Sequence, residues 1–93
     1  MKKILIVEDE KIIRNELKTL LENSEYEVIT IENFDNPKED IIKSEADLVL
    51  LDINIPKVNG EILLKEIRKE SNIPVIMVSA KNQELSKVKA LDE

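Results

Sequence analysis

Apolar residues in this chain cluster into four short segments separated by mixed, periodic stretches. The segments lie at residues 4–7 (ILIV), 28–31 (VITI), 48–51 (LVLL) and 75–78 (VIMV). Unbroken apolar runs of this length are typical of strands that are covered on both faces in a parallel sheet. The second segment contains a Thr and has polar neighbours, as expected of a strand at the edge of a sheet. The pattern therefore predicts a strand at each segment.

The stretches between and after these segments have the spacing of amphipathic helices. Residues 11–23, 36–44, 60–69 and 82–91 each place apolar side chains on one helical face. Those apolar positions are Ile13, Leu17, Leu20 and Leu21; Ile41 and Ile42; Ile62, Leu63 and Ile67; and Leu85, Val88 and Leu91. Each strand is therefore followed by a predicted helix.

Two of these helices have recognisable signals at their N-termini. Asn36, Pro37 and Glu39 occupy the N-cap, first-turn and N3 positions of the second helix, which is expected to end near Ser44. Asn82 is expected to cap the fourth helix.

This alternation of strands and helices predicts an α/β fold with a doubly wound parallel sheet, because right-handed crossovers join parallel strands. The carboxyl ends of all the strands then share one edge of the sheet, called the rim below. If the first, third and fourth strands are neighbours, the rim collects Glu8, Asp9, Asp52, Ser79 and Ala80. Carboxylates and a hydroxyl would then line one site.

Composition limits the chemistry that such a site can use. The 93 residues are expected to form one domain over residues 1–93. The chain has no Cys and no His, so thiolate or imidazole ligands and imidazole bases are excluded. A formal charge of −6 disfavours direct nucleic-acid binding and favours cations or basic partners. No apolar stretch has the length of a membrane span or a signal peptide, and we expect a cytoplasmic protein.

Asp52 is the first candidate functional residue. It follows the third predicted strand directly, and ligands of open α/β sheets bind outside the carboxyl ends of the strands. Pro56 excludes a helix through the loop that follows, and Gly60 is expected to free the backbone where the third helix starts. The resulting spacing is D-x-x-x-P-x-x-x-G. Taken alone, an Asp at this position is equally consistent with a simple turn.

Carboxylates of Glu8, Asp9 and Asp52 at one rim would repel each other. Two carboxylates about 4 Å apart repel by roughly 4 kcal/mol at an effective dielectric constant near 20. Such a site must take up a proton, recruit a basic side chain or bind a hard cation, and oxygen ligands favour Mg²⁺. As alternatives, the acids at residues 8–10 complement the dipole of the first helix, and Ser79 only ends a strand in a local turn.

Taken together, these motifs resemble the receiver domain of bacterial two-component response regulators over the entire chain. The matching motifs are the acidic pair Glu8 and Asp9 after a strand, D-x-x-x-P-x-x-x-G from Asp52 to Gly60, and Ser79-Ala80 after VIMV. The resemblance implies a flavodoxin-like receiver fold with the strand order 2-1-3-4. It also implies a signalling domain rather than an enzyme.

The resemblance further implies how the site works. A partner sensor histidine kinase would transfer a phosphoryl group from its His to Asp52, with Mg²⁺ required. Asp9 and Asp52 would bind the metal directly, Glu8 would bind it through water, and Asn54 would contribute its backbone carbonyl.

The resemblance also implies a switch. Ser79 would donate its hydroxyl to the phosphoryl group, and Ala80 would leave room for it and offer its N–H. The added charge would draw the loop after the fourth strand inward and so change a downstream output. A C-terminal DNA-binding output domain is a common neighbour in this family, which makes it an expected partner in the parent protein.

One departure from the family pattern concerns the C-terminal part. Receivers usually continue with a fifth strand and helix and carry a Lys at the end of that strand, and no lysine here matches that Lys by position. Without a fifth strand, the edge formed by residues 73–79 would be bare. We therefore expect the chain either to be a piece of a longer receiver or to bury this fourth-strand edge in a homodimer.

Three alternative functions compete with a phosphorylation switch. A nucleotide-binding domain would want a Gly-rich phosphate loop, which a chain with one Gly cannot form. A phosphatase with an Asp nucleophile would want a second acid two residues further on, where Asn54 stands. An inactive, receiver-like interaction module is the remaining alternative.

Overall fold

The computed structural model describes residues 1–78 and the backbone of residues 88–91. Ser79, Ala80, Asn82 and Leu85, which the sequence analysis singles out, lie outside the described residues. Within the described part of the chain, no helix is both long enough and apolar enough to cross a membrane.

A five-stranded sheet forms the centre of the fold. Its strands are β1 (Lys3–Val7), β2 (Glu27–Thr30), β3 (Leu48–Asp52), β6 (Val75–Val78) and β7 (Val88–Leu91). A separate two-residue hairpin is formed by β4 (Asn54–Ile55) and β5 (Val58–Asn59). The order in the main sheet is β2-β1-β3-β6-β7, with the first four strands parallel and β7 antiparallel to β6. The predicted fourth strand is β6, so the predicted order 2-1-3-4 is confirmed.

Three helices connect the parallel strands: α1 (Lys11–Asn23), α2 (Pro37–Ser44) and α3 (Gly60–Arg68). Their bounds agree with the predictions to within about one residue. The N-caps of α2 and α3 differ in their hydrogen bonding, however. Asn36 stands at the N-cap of α2 and its side chain makes no capping hydrogen bond there, whereas the Asn59 side chain caps α3.

The core lies mainly between the sheet and the pair α2 and α3. Because side chains alternate along a strand, β1, β3 and β6 each direct every second side chain toward this core. The sheet residues in it are Leu5, Val7, Val49, Leu51, Val75 and Met77, and the helix residues are Ile41, Leu63, Leu64 and Ile67. All of them are less than a tenth exposed, and each fully buried Leu or Ile stabilises the fold by roughly 1.5–3 kcal/mol.

The opposite face of the sheet is covered by α1. Ile4 and Ile6 of β1 are buried on this face, while Leu50 and Ile76 are only half-buried. The prediction for the apolar face of α1 is wrong at Leu20, which is 61% exposed. The corresponding prediction for α3 is wrong at Ile62, which is 56% exposed, because the buried stripe of that helix runs through Leu63, Leu64 and Ile67.

The predicted fourth helix is wrong at residues 88–91, which form β7. This strand pairs antiparallel with β6 in the register Val75↔Leu91 to Val78↔Val88. A parallel sheet that ends at β6 would present a row of unpaired N–H and C=O groups, and pairing this row outweighs a weak helical pattern. The prediction of a bare edge is therefore wrong along β6, and the reason for a homodimer through that edge is removed.

Candidate metal centre

The parallel pairing of β1 and β3 sets the position of the site. Val7 lies opposite Leu51, so Glu8 and Asp9 leave the sheet beside Asp52, the last residue of β3. Carboxylate oxygens of Glu8, Asp9 and Asp52 all lie within 4.8 Å of one another. The structure thus brings together the three acids that the sequence analysis places at the rim.

Two of the three acids are removed from solvent. Glu8 and Asp52 are each 2% exposed, and Asp9 is partly exposed. At 4.8 Å, two such carboxylates repel by about 3 kcal/mol at an effective dielectric constant near 20. A hard divalent cation among them would convert this repulsion into attraction, and the ligand atoms are all oxygens. The arrangement therefore fits Mg²⁺.

Backbone amides hold two of the carboxylates in place. The N–H of Glu10 donates to Glu8 Oε2 at 2.9 Å, and the N–H of Asn54 donates to Asp52 Oδ1 at 3.1 Å. Each bond spans two residues, so the turn that follows each strand orients the acid that precedes it. Asn54 itself is the first residue of β4 and follows Asp52 by two residues.

Arg14 is a buried charged residue of this region that the sequence analysis missed. Its side chain lies on the covered face of α1, where Nη1 donates to the backbone carbonyl of Glu8 at 3.2 Å. Nη2 lies 4.0 Å from Glu32 Oε2. A signal was available, because Arg14 precedes Leu17 by three residues and so shares its helical face.

The hairpin after Asp52 turns at Pro56 and Lys57. Pro56 holds the second position of the turn, and Lys57 at the third position has φ of 72°. Pro followed by a residue with positive φ is the pattern of a type II turn, in which Gly or Asn usually takes the third position. Lys57 Nζ forms an ion pair with Asp35 Oδ1, which lies in the connection between β2 and α2.

Gly60 is required for a different reason from the one predicted. Its φ is not positive, so the backbone does not need the freedom of Gly. A Cβ at this position would instead lie 2.5 Å from the carbonyl oxygen of Asp52 and 2.8 Å from Cα of Ile53. The N–H of Gly60 also donates to the carbonyl of Ile53 at 2.7 Å. The first residue of α3 is thus packed directly against the backbone that carries Asp52.

This combination of sheet order, acidic cluster and loop agrees with the comparison to known protein families. The family model described as "Response regulator receiver domain" matches residues 4–93. The chain belongs to this receiver family. The fold and the family expected from the motifs are thereby confirmed.

Known receivers and regulators that resemble the chain include one curated relative and two solved structures. The Transcriptional regulatory protein CpxR homolog of Haemophilus influenzae is 40% identical over 92 residues, which are 99% of this chain and 40% of the relative. The receiver thus spans well under half of that relative.

The solved structures share the receiver fold at substantial identity. One is the response regulator protein TrrA from Thermotoga maritima in complex with Mg²⁺-BeF, with a TM-score of 0.78, 38% identity, and coverage of 86% of this chain and 70% of that one. The other is the complex of the histidine kinase ThkA with TrrA, with a TM-score of 0.73, 37% identity, and coverage of 94% of this chain and 76% of the other. Receivers of this family are signalling domains.

Proposed function

We propose that this receiver accepts a phosphoryl group on Asp52 from a sensor histidine kinase. The observation that carries the proposal is the cluster of Glu8, Asp9 and Asp52, whose carboxylate oxygens lie within 4.8 Å of one another at the carboxyl ends of β1 and β3. Asp52 is the member that the backbone of the following hairpin holds by a hydrogen bond. The similarity to a receiver solved together with a histidine kinase supports the choice of partner.

In the proposed reaction, a carboxylate oxygen of Asp52 attacks the phosphorus of a phosphohistidine on the partner. An O–P bond forms on Asp52, the P–N bond of the phosphohistidine breaks, and its electron pair returns to the imidazole. Two negatively charged groups approach each other in this step, so fixed positive charge and hydrogen-bond donors must offset the charge that accumulates.

The acids would hold the Mg²⁺ that supplies this charge. Asp9 and Asp52 would bind it directly, Glu8 through water, and Asn54 through its backbone carbonyl. When bound, Mg²⁺ would neutralise the carboxylates and the incoming phosphoryl oxygens. The TrrA structure with Mg²⁺-BeF supports this choice of metal, because a receiver 38% identical to this chain was solved with it.

The remaining residues would complete the switch. Ser79 and Ala80 would contact the phosphoryl group from the segment that follows β6, while Pro56 and Gly60 would shape the loop between Asp52 and α3. The output downstream of this receiver would be a DNA-binding domain, a choice that the names of the transcriptional regulatory relatives support.

Labelling with a small phosphodonor tests the proposal. Incubation of the chain with an acyl phosphate and Mg²⁺ should add one phosphoryl group that is stable in acid and labile in base, as seen by intact mass. Asp52→Asn should abolish it. Asp47→Asn is the matched control, because Asp47 lies just before the opposite end of β3, where it bonds the N–H of Lys3 at 2.8 Å. Labelling that persists in Asp52→Asn, or no labelling of the unmodified chain, would contradict the proposal.

A further inference from the structure

Two loops beside the acidic cluster are joined by an ion pair. Asp35 belongs to the connection between β2 and α2, and Lys57 is at the tip of the β4–β5 hairpin. Lys57 Nζ donates to Asp35 Oδ1. The Asp35 loop is itself shaped by a bond of 2.8 Å from the Asp35 N–H to Asn33 Oδ1.

The space between these two loops is open. A cavity of about 410 Å³ opens there, and both members of the ion pair stand on its wall. Its apolar lining includes Phe34, Pro37 and Val58. The ion pair therefore spans an open gap at the tip of the hairpin, whereas Ile55, which is 6% exposed, anchors the middle of the hairpin in the core.

Lys57 also adopts a backbone conformation that lysine rarely takes. Its φ of 72° lies in the left-handed region, where Gly or Asn would be favoured at this position of the turn. A lysine at this position provides a long cationic side chain that Gly would not. In the structure, the charged end of this side chain forms the ion pair with Asp35.

The hairpin connects the ion pair to the acidic cluster. Asn54 pairs with Asn59 and Ile55 with Val58, so one short antiparallel ladder connects the tip of the hairpin to its base. Asn54 stands at its base, and its N–H bonds the carboxylate of Asp52 at 3.1 Å. Restraining the tip therefore restrains the residue that borders Asp52.

We propose that Asp35 and Lys57 are positioning residues, which hold the hairpin so that the backbone of Asn54 is set for the metal. This inference rests on the proposed function, because it takes Asn54 as a metal ligand. Ion pairs between exposed side chains contribute modestly, so loss of the pair should weaken Mg²⁺ binding by about twofold to fivefold.

The test measures the Mg²⁺ dissociation constant from amide shifts of residues 8–10 and 52–55 at low salt. Asp35→Asn and Lys57→Met should each weaken binding, and the double variant should be no worse than either single one. A simple change of local charge predicts a different result, since removing the cation Lys57 would then tighten Mg²⁺ binding. The reversed pair, Asp35→Lys with Lys57→Asp, should restore the affinity.

Two controls isolate the effect. Lys69 and Glu66 form another ion pair, at 3.5 Å, at the C-terminal end of α3, so Lys69→Met should leave Mg²⁺ affinity unchanged. High salt should remove the differences among the Asp35 and Lys57 variants, because salt screens exposed charges.

Asp52→Asn separates the two proposals. If the unmodified chain does not bind Mg²⁺ at the cluster, the proposed function fails. The other case is that the unmodified chain binds Mg²⁺ and Asp52→Asn loses that binding. If Asp35→Asn and Lys57→Met then bind Mg²⁺ as tightly as the unmodified chain, only the positioning inference is overturned.

Discussion

Replacing Gly60 by Ala would test how tightly α3 is coupled to the acidic cluster. The added Cβ would lie 2.5 Å from the carbonyl oxygen of Asp52, 2.8 Å from Cα of Ile53 and 3.1 Å from the carbonyl oxygen of Ile53. All three are backbone atoms, so no flexible side chain can swing away. Either α3 or the start of the hairpin must shift.

Two effects of opposite sign decide the outcome. Ala is favoured over Gly in a helix by up to about 1 kcal/mol, and it also restricts the unfolded chain. Forcing an extra carbon into a filled space typically costs about 1–3 kcal/mol. Because the contacts at Gly60 are with backbone, we expect the steric term to exceed the gain. The net result should be a loss of roughly 1–2 kcal/mol of unfolding free energy, or about 4–16 °C in Tm for a domain of this size.

Urea denaturation and an Mg²⁺ titration would check this expectation. Gly60→Ala should lower the urea midpoint and also weaken Mg²⁺ binding, because the displaced backbone carries Asp52. Glu61→Ala is the matched control, since Glu61 is the next helical residue and is exposed. If Gly60→Ala were as stable as the unmodified chain and bound Mg²⁺ equally well, the reasoning from close approach would be refuted.

Two further predictions concern residues around the same loop. Asn59 Oδ1 accepts hydrogen bonds from the N–H groups of Glu61 (2.7 Å) and Ile62 (3.3 Å), so Asn59→Ala should lower the unfolding free energy measured in urea by about 1 kcal/mol. Asn36→Ala, at an N-cap without such a bond, should change the unfolding free energy little. Equal losses in the two variants would contradict the assignment of the cap. The hydrogen bond and charge of Lys57 hold the pKa of Asp35 below its ordinary value of 3.8, so this contribution to stability is present above about pH 4 and is lost as the pH falls through the folded pKa. Carboxyl NMR titration should show the pKa of Asp35 rising in Lys57→Met, and an unchanged pKa would show that the pair does not persist in solution.

The sheet was predictable because its strands are unbroken or nearly unbroken apolar runs, and β1 is buried on both faces from Ile4 to Val7. Unbroken apolar runs such as residues 48–51 have few other uses in a small domain, and parallel strands place their carboxyl ends at one edge. The proximity of Glu8, Asp9 and Asp52 follows from that topology alone. Neither step required knowledge of any side-chain contact.

The features that were missed depend on contacts between distant parts of the chain. Two-residue strands such as β4 and β5 are too short to show a period, and the turn between them has Lys57 where Gly or Asn would have signalled it. Arg14 was not among the predicted core or site residues, although the carbonyl of Glu8 gives it a buried partner. The strand at residues 88–91 depends on the free edge of β6, which local spacing does not reveal.

The two ends of the loop from Ile53 to Asn59 lie close together. The bond between the Gly60 N–H and the Ile53 carbonyl closes it, and the pairing of Asn54 with Asn59 seals its base. Lengthening a loop whose ends are already joined adds only about 0.6 kcal/mol for each doubling of its length. Residues inserted between Pro56 and Lys57 would therefore extend into solvent and leave the backbone of Asp52 and α3 in place, although they would displace Lys57 from Asp35. An insertion at Ile53 would separate the Asn54 N–H from the Asp52 carboxylate and disturb the closing bond to Gly60. Length variation among related proteins should therefore concentrate at the tip and avoid the base.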